Sequence, residues 1–135
     1  MYALYRVRDV MRRPVTVPPE ATVKEAVKLM HREGSSSVII VDSEGRPIGI
    51  FTERDLVRVV AEGVDLETSI SRVMTPRPIT VSVDDPLSKA VSKMVEHRIR
   101  NLPVVDSEGR LAGLVTARDV TETLKKYKEE VGELE

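Results

Sequence analysis

Residues 41–55 read VDSEGRPIGIFTERD, and residues 105–119 read VDSEGRLAGLVTARD. In both stretches an apolar run ends at Val41 or Val105 and meets Asp-Ser-Glu-Gly-Arg, a set of turn formers that reverses the chain. A β-rich return follows, and Thr52 or Thr116 then opens a helix. Working outward, residues 14–56 align without a gap on residues 78–120, with sixteen identities in 43 positions. Pro14/Pro78, Thr16/Thr80, Ala26/Ala90, Val27/Val91 and Met30/Met94 are among them, as are Gly49/Gly113, Thr52/Thr116, Arg54/Arg118 and Asp55/Asp119. The chain is a tandem duplication.

Each copy reads the same way. Val15-Thr16-Val17 and Ile79-Thr80-Val81 are β-branched and extended. Val23, Ala26, Val27 and Met30 then fall at i, i+3, i+4 and i+7, as do Leu87, Ala90, Val91 and Met94, which predicts one apolar helix face in each copy. Thr22 with Glu25 has the capping-box pattern, and Asp85 before Pro86 reads as the N-cap of the second copy. Val38 to Val41 and Leu102 to Val105 are short enough for buried strands. The hairpin returns through Ile48 to Phe51. The predicted order is β-α-β-β-α, twice, an α/β fold.

A single copy is too small to bury much apolar area alone. Two copies packed through their sheets about a pseudo-twofold axis would share one core and leave two equivalent clefts, a favoured place for ligands. The expected division is residues 1–64 for the N-terminal segment and first repeat, 65–126 for the second, and 127–135 for a charged helix end.

Composition narrows the function. In 135 residues, 41% are hydrophobic and 32% charged, with 21 Lys and Arg against 22 Asp and Glu. That balance lacks the basic excess of a nucleic-acid binder, Arg12, Arg13, Arg98 and Arg100 being local features only. Four aromatics (Tyr2, Tyr5, Phe51, Tyr127) give little platform for base stacking. Cys is absent, so thiolate metal sites and cysteine nucleophiles are excluded. No apolar run nears the roughly 18 residues of a membrane span, and MYALYRVRDV lacks a signal-peptide core. The expectation is a soluble, cytoplasmic protein.

The chemistry concentrates in the repeated Gly-x-x-Thr-x-Arg-Asp. Gly49 and Gly113 lie where a ligand backbone can approach closely. Thr52 and Thr116 sit at helix starts, whose free N–H groups favour phosphate. Asp55 and Asp119 follow one turn later on the same side; an ionised carboxylate only accepts hydrogen bonds, which suits the two hydroxyls of a ribose. Arg54 and Arg118 add charge. Thr-x-x-Asp is equally the pattern of a self-contained helix cap, and the two roles are compatible.

On these residues the chain resembles a tandem pair of CBS domains, a Bateman module, over about residues 7–124. The carriers are Val10-Met11 and Val73-Met74, HRIRNLPVVD at His97 to Asp106, and GIFTERD and GLVTARD. The resemblance implies clefts built across the repeats. One would combine Thr52, Arg54 and Asp55 with Arg77, Pro78, Ile79 and Thr80 and with Ile99, Arg100, Asn101 and Pro103. The other would combine Thr116, Arg118 and Asp119 with Arg13, Pro14, Val15 and Thr16 and with Ser35, Ser36, Ser37 and Val38. Arg77, Arg98 and Arg100 near the first, against three serines near the second and opposed slightly by Glu53, which aligns with Ala117, predict tighter phosphate binding in the first; the alternative is that Arg98 and Arg100 are a solvated helix end. The implied ligand is AMP, with ADP, ATP, S-adenosylmethionine and NAD as alternatives. The implied role is regulatory, through a protein partner in trans and a helix-paired homodimer; the rival is a ligand-free dimerisation or scaffold module.

No Ser/His/Asp constellation or phosphate-binding GxxxxGK[ST] loop is present, and no enzyme activity is expected. His31 and His97 fall at unrelated positions of the two copies, so no metal site is expected. Met30 and Met94 read as core, as do Met11 and Met74, for which packing against a cleft or a partner module is the alternative. Residues 121–135, TETLKKYKEEVGELE, continue the last helix with mixed charge, and Tyr2, Leu4, Tyr5 and Val7 are apolar enough to pack on the body or across a dimer.

Overall fold

The computed structural model describes residues 5–134, the side chains of residues 133 and 134 excepted. The elements are α1 (Val7–Val10), β1 (Thr16–Val17), α2 (Val23–Glu33), β2 (Ser37–Val41), β3 (Pro47–Thr52) and α3 (Glu53–Ala61), then a 3-10 turn at Ile70–Arg72, β4 (Thr75–Pro76), β5 (Val81–Ser82), α4 (Leu87–His97), β6 (Asn101–Val105), β7 (Leu111–Thr116) and α5 (Ala117–Leu134). The predicted β-α-β-β-α order occurs twice. Three elements were not anticipated: α1, the 3-10 turn and β4.

The unit built on the first repeat comprises residues 14–78 with 109–111. Its sheet runs β1-β2-β3-β4, with β1 parallel to β2 and the other pairs antiparallel. Thr22 caps α2 by accepting the Glu25 N–H at 3.0 Å, while its hydroxyl lies 3.2 Å from Glu25 Oε1. The helix ends where Gly34 takes up a left-handed φ of 63°. Val23, Ala26 and Met30 bury the predicted face against Val38, Ile40 and Phe51. Burying each larger aliphatic or aromatic side chain is worth about 1.5–3 kcal/mol. In the hairpin the Asp42 carboxylate accepts the N–H groups of Arg46 and Glu44, both at 2.9 Å. Those bonds, Arg46's foremost, hold its pKa below the usual carboxylate range.

The unit built on the second repeat contains the described residues up to Arg13, residues 79–108, and those from Ala112 onward. Its sheet is β5-β6-β7, with Val81 opposite Val104 in the parallel pair. Leu87, Ala90 and Met94 of α4 pack with Leu102, Val104 and Val115. The start of α4 departs from expectation. Pro86 stands at the N-cap position with no side-chain cap, and the Asp85 carboxylate accepts the Ser82 N–H instead, at 2.9 Å. Asp85 lies one residue too early to reach the first-turn amides, so it closes the preceding turn. At the other end Arg98 occupies the left-handed position (φ 54°) that Gly34 fills in the first repeat.

The expected boundaries divide the chain differently from the structure. Residues 5–13 precede the first repeat in sequence but pack on the second. The Val7 N–H donates to Asp85 O (2.9 Å), the Leu87 N–H donates to Tyr5 O (2.8 Å), and Val7 is fully buried in the second core. Residues 65–78 likewise pack on the first repeat: Val23 N–H donates to Thr68 O (2.9 Å), Ile70 N–H to Ala21 O (2.6 Å), and Ile70 is fully buried in that core. One apolar anchor, Val7 or Ile70, fills the space beside each helix start. Tyr2 and Leu4 lie outside the described residues. Among those described, no helix is long and apolar enough to cross a membrane.

Candidate functional site

The repeated motif forms the same local structure in both units. Strand β3 ends at Thr52, whose hydroxyl accepts the Asp55 N–H (3.4 Å), while Asp55 Oδ2 accepts the Thr52 N–H (2.9 Å). Strand β7 ends at Thr116, whose hydroxyl accepts the Asp119 N–H (3.1 Å), and Asp119 Oδ2 accepts the Thr116 N–H (2.9 Å). Each pair is a closed capping box, so Thr and Asp serve the helix start before any ligand is considered. Both carboxylates are largely buried, the Asp55 side chain being 13% exposed and that of Asp119 9%.

The second oxygen of each carboxylate distinguishes the loops. Asp55 Oδ1 accepts the Thr75 hydroxyl at 3.1 Å and lies 3.4 Å from Arg58 Nη2. Asp119 is gripped by Arg12, whose Nε stands 3.0 Å from both oxygens and whose Nη2 is 2.5 Å from Oδ1. The bond to Asp119 raises the Arg12 pKa further above its ordinary value, outweighing the opposing effect of burial. Thr75, Arg58 and Arg12 were not expected at the site. The signal that locates two of them is the repeated Val-Met: Thr75 and Arg12 each follow it directly.

Gly49 and Gly113 do admit a close approach, but by the protein itself. A Cβ on Gly49 would fall inside the contact radius of the Met74 sulfur, and one on Gly113 would lie 2.6 Å from that of Met11. Met11 and Met74 are thus packing residues, as expected, and the glycines exist to admit them.

The remaining site residues stand as follows. In the unit of the first repeat, Arg54 and Arg77 are exposed, Arg77 with a left-handed φ of 49°, and Pro78, Pro14 and Val15 are half-buried. Thr16 is exposed on β1 and shares a depression of about 370 Å³ with Val17, Pro18, Glu20 and Asp42, with no motif residue in its lining. Ser35 Oγ donates to Ser37 O (2.7 Å), and Ser36 O accepts the Glu53 N–H (3.1 Å), which ties this segment to the start of α3. Ser37 and Val38 are fully buried, so the Val38 side chain belongs to the core. In the other unit, Ile79 and Thr80 are half-buried, and Thr80 O accepts Lys93 Nζ at 2.5 Å. Arg100 is exposed with its carbonyl accepting the Ala117 N–H (2.9 Å), Ile99 is half-buried, and Asn101 and Pro103 are buried on β6. Arg13 and Arg118 are exposed, the latter paired with Glu122 at 3.1 Å. Among the described residues no group of three or more His, Asp or Glu is placed to hold a metal ion.

A family model for the CBS domain matches residues 7–62 and 70–126. An uncharacterized protein of Methanopyrus kandleri, MK0525, is 41% identical over 93% of this chain and 71% of its own length. Inosine-5'-monophosphate dehydrogenase of Aquifex aeolicus is 39% identical over 90% of this chain, which spans only 25% of that enzyme. Among solved structures, the CBS domain protein PAE2072 of Pyrobaculum aerophilum complexed with AMP is similar over 85% of this chain and 89% of its own, with a TM-score of 0.81 and 31% identity. The CBS domain pair of protein MJ0100, in complex with 5'-methylthioadenosine and S-adenosyl-L-methionine, covers 91% of this chain and 98% of its own, with a TM-score of 0.84 and 28% identity.

Proposed function

The chain belongs to the CBS-domain family, and from that premise we propose that it is a regulatory module binding an adenosine-containing ligand, AMP first among the candidates. The observation that carries the reading is the duplicated loop itself: two helix starts, each with a threonine hydroxyl and a buried carboxylate. The helix N–H groups and Arg54 or Arg118 serve a phosphate, and Asp55 or Asp119 serves a ribose. The base is left, as the family resemblance implies, to the extended segment of the opposite repeat. Support comes from similar CBS proteins crystallised with AMP, 5'-methylthioadenosine and S-adenosyl-L-methionine. The match to the dehydrogenase covers a quarter of that enzyme, in keeping with a regulatory rather than catalytic role. Ligand occupancy would shift the population of module conformations and be read in trans by a partner. Pairing of two chains through helices is part of the same reading: Val57 and Val60 of α3 are 69% and 62% exposed.

The closed capping boxes favour a second reading, a scaffold whose loops need no ligand. A thermal-shift panel of AMP, ADP, ATP, NAD, 5'-methylthioadenosine and S-adenosylmethionine separates the two. A ligand at about 100 times its dissociation constant adds roughly 2.7 kcal/mol. A flat response across the panel rejects the sensor and leaves the scaffold.

A further inference from the structure

The two motifs are near-identical in sequence, yet the residue facing each carboxylate differs in charge. Arg12 and Leu114 exchange backbone hydrogen bonds (2.8 and 2.9 Å), and Thr75 pairs with Ile50 between β4 and β3. Leu114 and Ile50 are equivalent positions of the duplication. Arg12 and Thr75 therefore occupy the same seat, each following the methionine that covers the motif glycine. From that seat Thr75 offers one neutral hydroxyl to Asp55, and Arg12 offers a guanidinium that contacts both oxygens of Asp119.

We propose that Arg12 is a specificity-determining residue that guards the Asp119 carboxylate, making the second motif the weaker ribose site and leaving the Asp55 motif to fill first. This rests on the ribose role assigned to the carboxylates above.

Acceptor capacity separates the two carboxylates. A carboxylate offers about four lone-pair directions. At Asp119 the Thr116 N–H and hydroxyl take Oδ2, at 2.9 Å each, and the guanidinium takes what remains. At Asp55 the Thr52 N–H and hydroxyl take Oδ2 at 2.9 and 3.2 Å, and Oδ1 keeps one firm partner, Thr75. Arg58 does stand by Asp55, but at 3.4 Å, with its guanidinium committed to Val73 O (2.7 Å) and also 3.3 Å from Glu62. A sugar diol at Asp55 displaces a hydroxyl with a hydroxyl, nearly an even exchange. At Asp119 it must displace charge-assisted bonds, which are roughly twice as strong as neutral ones.

The test is calorimetric titration of AMP into the full chain, with one motif silenced at a time. With Asp55→Asn silencing the first motif, Arg12→Thr is expected to tighten AMP binding about tenfold, equivalent to about 1.4 kcal/mol. Arg12→Lys, which keeps the charge but loses the fork, should fall between parent and Arg12→Thr. With Asp119→Asn silencing the second motif, Thr75→Arg should weaken AMP about tenfold and Arg12→Thr should change it less than twofold. Unchanged or weaker binding on Arg12→Thr in the Asp55→Asn background overturns the guarding role while leaving the nucleotide reading intact. A parent chain that binds none of AMP, adenosine and the other ligands of the thermal-shift panel removes the adenosyl-ligand reading, and the guarding role with it.

Discussion

Replacing Gly113 by alanine puts one methyl group where Met11 already sits. The new Cβ would lie 2.6 Å from Met11 Sδ, 3.0 Å from Cγ and 3.1 Å from Cβ. Carbon and sulfur contacts relax near 3.5–4 Å, so the stem of the methionine must move as well as its tip. The stem is anchored: Met11 N–H donates to Val7 O at 3.0 Å, and Arg12 is bonded in both directions to Leu114. Gly113 does not have a positive φ, so alanine carries no backbone strain there, and gains about 0.4–1 kcal/mol from reduced unfolded-state entropy. Overpacking of such a contact costs about 1–3 kcal/mol, the larger effect. The expected outcome is net destabilisation of about 1–2 kcal/mol in urea denaturation, read as a lower midpoint at unchanged slope. Met11→Ala removes the obstacle, so Gly113→Ala in a Met11→Ala background should be neutral or stabilising, a coupling of at least about 1 kcal/mol. Gly132→Ala, with nothing within 4 Å of its Cβ in α5, is the control and should not destabilise. If Gly113→Ala matches that control, or if its cost persists without Met11, the close packing of methionine on glycine is refuted.

Other outcomes follow from single contacts. Arg98→Gly should stabilise the chain by about 0.5–1 kcal/mol, since the left-handed C-cap of α4 suits glycine as Gly34 does in α2; an unchanged or lower melting temperature contradicts this. Because the folded-state pKa of Asp42 is depressed, its turn contributes stability above its unfolded pKa of about 3.9, lost as pH falls through the lower folded value. The hairpin amides of Glu44 and Arg46 should accordingly lose protection, measured against their intrinsic exchange rates, as pH falls below about 4 in the parent, and their protection should not fall in this way in Asp42→Asn. If two chains pair through α3, as proposed, Val57→Glu with Val60→Glu should lower the mass in light scattering from that of a dimer to that of a monomer; an unaltered mass removes helix α3 from any dimer interface.

The duplication, the strand and helix order and both capping motifs were legible because each depends on short-range chemistry: turn formers, apolar periodicity and Thr-x-x-Asp. The packing of residues 5–13 and 65–78 was not. Their correspondence runs through Val7/Ile70, Val10/Val73, Met11/Met74 and Arg12/Thr75, one residue out of step with the alignment that begins at Pro14 and Pro78. Short apolar anchors also carry no periodicity to announce which core they enter. Asp85 misled for a local reason: the proline after it is itself the cap residue, which shifts α4 by one position. The role of the motif glycines was half legible. Their lack of a side chain does mark a close approach, but what approaches is a methionine distant in sequence. The partner of each aspartate followed from the same hidden register, and so the difference in charge between the two loops was invisible until the segments were placed.

The central claim is that the two buried aspartates hold a nucleoside. The most direct measurement is titration of AMP into the parent chain and into the Asp55→Asn, Asp119→Asn double variant, with cooperative melting of the variant establishing that it is folded. The account predicts saturable heat in the parent and none in the variant. Equal affinity in both would contradict it, since the nucleotide would then be held without either carboxylate.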